Sequence, residues 1–171
     1  SLHLNTHVYG VEMTADKKNI RSVIGLDTKT GKETRFLGKL FVVAQAIVPA
    51  KTNPPTDPAK TLKVVRPDAA EAVAVMERSC RDCHSNDTTW PWYSSVAPVS
   101  WLVARDVTEG RKELNISEFG TYDAKKQQHK LEEACDQVKN GEMPMWIYTI
   151  QHPDAKLQPG DVDRICAASL V

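Results

Sequence analysis

The run Cys80-Arg81-Asp82-Cys83-His84 governs how the rest of this sequence is read. Two thiols three residues apart on a helical turn face the same way, so both can reach the two vinyl groups on one porphyrin edge. The imidazole that follows directly is then placed to cross the ring plane and ligate the iron. A chain built this way has to wrap an apolar pocket around a flat ligand. A rival use is a closed zinc site with Cys80, Cys83, Cys135 and Cys166, but the last two lack the second short spacing such sites carry. A thioredoxin-like dithiol would need a βαβ setting, which the pattern lacks.

A haem iron has a second face. Gly141-Glu142-Met143-Pro144-Met145-Trp146 is the leading source of its ligand, because a thioether is soft, neutral and at home in an apolar pocket. Met143, just before Pro144, is favoured. Met145, His129, His152 or an open position remain as alternatives, and both methionines also suit ordinary core packing. Trp90, Trp92, Tyr93 and Trp146 are candidates for flat apolar walls, or equally for ordinary core. The carbonyl of Pro98, or instead of Pro91, is a candidate acceptor for the outer nitrogen of His84. His3 and His7 read as surface or strand residues.

The chain changes character near residue 50. His7 to Met13 alternates, Ile20 to Leu26 is rich in β-branched residues, and Thr34 to Val43 is a third such run. Asp16 to Asn19 and Lys29 to Lys32 carry turn signals between them, so a three-stranded meander is expected. The reading is a β-rich extension over 1–48, a proline-rich linker over 49–65 and a helical haem domain over 66–171. Pro67 suits the first turn of a helix from Asp68 to Ser79, with Ala72, Val73 and Met76 on one face. Val99 to Glu113 follows, with Leu102, Val103 and Val107 as its stripe. Asp123 is placed to cap a helix to Asn140 through Leu131, Cys135 and Val138, ended by Gly141. Asp161 to Leu170 closes the chain, with Val162, Ile165 and Cys166 turned inward.

Lysine plus arginine number 22 and aspartate plus glutamate 22, so net charge recommends neither nucleic acid nor a strongly anionic membrane as partner. The apolar run from Leu40 to Ala50 is too short to span a bilayer, so any membrane attachment is expected from a segment outside these residues. Covalent haem attachment takes place outside the bacterial cytoplasm. Cys135 and Cys166 would then face an oxidising environment, and two leftover cysteines suit one disulfide.

Thr52-Asn53-Pro54-Pro55, Cys80 to Asn86, Trp90-Pro91-Trp92-Tyr93 and Ala97-Pro98-Val99-Ser100-Trp101 follow one another in a recognisable order. Gly110-Arg111, Leu114-Asn115, Gly141 to Pro144 and His152-Pro153 continue it. From about Thr52 to Val171 the chain closely resembles the bacterial haem-binding domain family of small monohaem cytochromes. One departure is Ala168-Ser169, where relatives tend to carry tryptophan. The resemblance implies a mainly α, class I cytochrome c-like domain, here with an N-terminal β extension. It also implies His84 as proximal ligand, Met143 as distal ligand, and periplasmic or membrane-attached electron transfer without catalysis. Val23 to Glu33 and Lys39 to Ala44 resemble a strand pair of flavin-dependent glucose–methanol–choline oxidoreductases. That piece has no dinucleotide fingerprint and is too short to hold a flavin, so none is expected here. A flavin-dependent dehydrogenase is instead the expected donor. Two further readings stay open: a haem protein with an open iron position for small gases or peroxide, and a structural module of a larger redox assembly.

Overall fold

The computed structural model describes residues 6–13, 20–27, 32–37 and 47–170. The turn signals at Asp16 to Asn19 and Lys29 to Gly31, the third run beyond Leu37 and the segment Lys39 to Ala44 lie outside them. The chain divides into two compact units, one of residues 1–50 with 91–104, the other of 51–90 with 105–171.

In the first unit, β1 (Thr6–Met13), β2 (Ile20–Asp27) and β3 (Glu33–Leu37) form one antiparallel sheet in that order. β1 and β2 pair from Thr6 with Asp27 to Met13 with Ile20, with register shifts at Val8/Gly10 and Glu12/Met13. The Ser22 hydroxyl donates to the Glu12 carboxylate opposite it at 2.6 Å. In the same unit a 3₁₀ turn at Trp92–Ser95 is tied by the Ser94 hydroxyl to the Pro91 carbonyl, at 2.6 Å. The Trp101 indole donates to the Ile47 carbonyl at 2.7 Å.

The second unit is helical. It holds α1 (Leu62–Val65), α2 (Ala70–Ser79) and α3 (Arg81–His84), followed by the latter half of α4 (Val99–Glu113). Then come α5 (Ala124–Lys139), α6 (Trp146–Gln151) and α7 (Asp161–Ala167). Helix α7 packs on both α2 and α5. Ala72, Val73 and Met76 of α2 meet Leu131 and Val138 of α5 and Ile165 of α7 in the core. On α4 the buried apolar positions are Ala104 and Val107, whereas Leu102 and Val103 are only half-buried. Arg78 of α2 pairs with Asp161, which is buried and also accepts from Arg164 at 2.9 Å and the Gln158 N–H at 2.6 Å.

The expected linker over 49–65 is shorter than its prolines suggest. Asp57 caps a 3₁₀ turn at Pro58–Lys60 by accepting from the Ala59 N–H, and α1 follows. Leu62 is 2% exposed and its N–H donates to the Ile116 carbonyl at 2.8 Å. One well-placed leucine binds this segment into the core, which proline content alone does not reveal. At the C-terminus α7 stops at Ala167, three residues before the expected Leu170, and Leu170 is exposed.

Asp123 accepts from the Lys126 N–H at 2.8 Å, which satisfies an orphan donor at the start of α5. At the other end Gly141 takes φ +70, the left-handed conformation that ends many helices. Its N–H reaches the Val138 carbonyl and that of Glu142 reaches Gln137. Cys135 of α5 and Cys166 of α7 form a disulfide with α-carbons 4.7 Å apart, inside the range a disulfide spans.

Candidate functional site

Helix α2 ends at Ser79, and Cys80, at φ −121 and ψ −21, breaks it before the separate turn α3. The two thiols and the imidazole therefore sit on a turn of their own, closed by the Cys83 and His84 N–H groups on the Cys80 carbonyl at 3.2 and 2.9 Å. Cys80, Cys83 and His84 line a cavity of about 500 Å³. Met76, Leu114, Ala134, Val138 and Ile165 supply apolar lining, and Met143, Pro144 and Met145 complete it. That volume lies within the usual range for small-molecule and cofactor sites.

The chemistry of these groups follows from their burial. Cys80 and Cys83 are free, and desolvation pushes both thiols up to about 12, so they stay neutral at physiological pH. Burial likewise holds the His84 imidazole below its ordinary range. Its Nδ1 lies 3.1 Å from the Leu114 carbonyl, which can only accept. The proton therefore resides on Nδ1, and Nε2 keeps a lone pair for a metal. The His84 carbonyl in turn accepts from the Ile116 N–H at 2.8 Å, so the segment after α4 holds both ring and backbone.

Several residues that set this geometry carry no ligand chemistry. A Cβ at Gly110 of α4 would fall 2.6 Å from the Cys83 carbonyl oxygen, so only glycine lets the helix pass the motif turn this closely. Gly110→Ala is expected to cost roughly 1–3 kcal/mol, because backbone rather than a movable side chain is in the way. Thermal unfolding with a parallel haem assay measures this, and an unchanged midpoint would contradict it. Arg111 donates to the Ser85 carbonyl at 2.6 Å, the Thr52 carbonyl at 2.8 Å and the Thr88 hydroxyl at 2.8 Å, lacing the segment before α1 to the loop after the motif. Asp82, inside the motif, accepts from the Tyr148 hydroxyl at 2.9 Å, which fastens α6 to the motif turn. A glycine near the end of an otherwise regular amphipathic helix was the available signal for Gly110, since it costs helix stability there.

The structure brings together Cys80, Cys83, His84, Met143 and Met145 around one cavity. The other expectations are corrected. The acceptor for His84 is the Leu114 carbonyl; Pro98 and Pro91 belong to the other unit. Trp92 and Trp146 are 79% and 61% exposed, and neither lines the cavity. Trp90 donates its indole N–H to Asn53 at 3.0 Å, and Tyr93 lies in the other unit beside Trp92. The aromatic lining among the described residues is Tyr148, stacked on His152 at 4.4 Å between centroids. His129 is exposed beside Glu133. The four-cysteine zinc alternative fails because Cys135 and Cys166 are bonded to each other.

The sequence model of the haem-binding domain family matches residues 39–168, and the chain belongs to that family. No curated protein and no solved structure matches the chain. The cavity fits the group the family name implies: it is largely apolar, holds a neutral imidazole with a free nitrogen, and presents thioether sulfur and two unpaired thiols. This is a haem protein.

Proposed function

We propose that this chain is a c-type cytochrome that carries single electrons between redox proteins outside the cytoplasm. The observation that carries the reading is that Cys80, Cys83, His84 and Met143 line the same cavity. Cys80 and Cys83 would hold the haem covalently, each thiol adding across one vinyl group with sulfur on one carbon and its proton on the other. His84, through Nε2, and Met143, placed by the turn that ends α5, are the residues that would hold the iron. When bound, the haem supplies the one-electron chemistry, cycling between ferric and ferrous iron. The protein's part is to hold the ligands, keep water out with apolar lining, and tune the potential. A thioether ligand and an apolar pocket raise that potential. The carboxylates of Asp106, Glu109, Glu113, Glu133 and Asp136, which also line the cavity, favour ferric iron and oppose the rise.

The reading extends to a periplasmic site of action and to a flavin-dependent dehydrogenase as donor. Among the described residues no helix is long and apolar enough to cross a membrane. The distal ligand is tested with carbon monoxide. Ferrous wild-type protein is expected to bind it poorly, and Met143→Ala to bind it readily. If Met145→Ala gains binding and Met143→Ala does not, the ligand is Met145. Ready binding by the wild type would favour an open-site haem protein instead.

A further inference from the structure

The cavity has an unbalanced lining. Five carboxylates border it, Asp106, Glu109 and Glu113 from α4 and Glu133 and Asp136 from α5, and Lys130 is the one lysine or arginine that does so among the described residues. A haem would bring two propionate carboxylates of its own. Placing them against five like charges without a counter-ion is unfavourable, more so where water is partly excluded. We propose that Lys130 is the cation that pairs with a haem propionate; this rests on the haem reading above and assigns a binding role within the same site.

The geometry suits the role. The Lys130 side chain is 12% exposed, held against the protein rather than waving in solvent. Glu133 takes one of its hydrogen bonds at 2.7 Å, and Glu113 lies 3.7 Å away. An ammonium has three donors, so a bond to Glu133 leaves capacity for a further carboxylate oxygen. Glu133 and Glu113 are 45% and 73% exposed, so both can turn toward water when a buried anion competes for the ammonium. The hydrogen bond to Glu133 raises the Lys130 pKa, which keeps the side chain charged across the physiological range. The other titratable groups that line the cavity are Asp106, Glu109, Asp136, His84, Cys80, Cys83 and Tyr148, none of them a permanent cation, and Lys126, 4.7 Å over the Tyr122 ring, does not line it.

Resonance Raman spectroscopy of the holoprotein tests this, because the propionate bending band reports on hydrogen bonding to the propionates and on little else. Lys130→Met is expected to shift that band toward weaker hydrogen bonding and to lower the midpoint potential, since a positive charge near the iron is lost. Glu133→Gln, which frees the ammonium, should shift the band the other way, and Lys130→Arg should restore the wild-type position. A band unchanged in both Lys130→Met and Glu133→Gln, with haem content intact, overturns the assignment while leaving the haem reading standing. If Lys130→Met does not accumulate, the direction of the Glu133→Gln shift decides alone. Wild-type protein without haem overturns the underlying reading and this assignment with it.

Discussion

Replacing both Cys80 and Cys83 with alanine is expected to leave no haem that resists acid–acetone extraction, whereas the wild-type chain keeps one through denaturation. Both thiols lie on the short turn around α3, both are free, and both line the cavity. Burial holds them neutral in the folded chain. Alanine at these positions removes the sulfur while adding no bulk, so the fold is expected to survive. His84 and the methionine can then hold haem only reversibly. Each single variant should keep one thioether and shift the reduced absorption band to longer wavelength. Haem retained by the double variant after extraction would show that the attachment is elsewhere.

Cys135→Ser with Cys166→Ser is the second large effect. The bridge spans 31 residues of sequence and ties α5 to α7. The loop-entropy relation gives a stabilisation of about 3–4 kcal/mol for a closure of that length. The closed loop contains Met143, and the two bridged helices flank the segment that supplies it. Reduction or the double substitution is therefore expected to loosen methionine ligation at denaturant concentrations where helix content is still native. Parallel denaturant titrations, one followed by circular dichroism and one by the red-end absorption of ferric haem, measure this. Coincident midpoints, unshifted from the wild type, would remove both the stability and the clamping roles.

The helical part of the fold was legible because local chemistry declares it. Asp123 as a cap, Gly141 as a left-handed stop and the spacing of Leu131, Cys135 and Val138 delimit α5 without tertiary information. Val99–Glu113 forms as its apolar spacing predicts, although of the expected stripe only Val107 is buried. The motif residues were legible because covalent and coordinate chemistry demands specific side chains at fixed spacing. The support around them was not. The partner of His84 is a backbone carbonyl, and every residue has one, so nothing in the sequence marks Leu114 over Pro98. Aromatic side chains are large and apolar wherever they stand, which made Trp92 and Trp146 attractive as walls although both face solvent. Leu62 shows the converse: a single buried leucine in a proline-rich stretch carries no periodic signal. Charged lining residues such as Lys130 and Glu133 read as an ordinary solvated helix face until α4 and α5 are seen to border one cavity.

The most direct measurement is the absorption spectrum of the purified wild-type holoprotein in its ferric and ferrous states. The account predicts six-coordinate, low-spin iron in both states, with a weak red-end ferric band that marks histidine–methionine ligation. Five-coordinate, high-spin iron in the resting protein, or no haem spectrum at all, would contradict it.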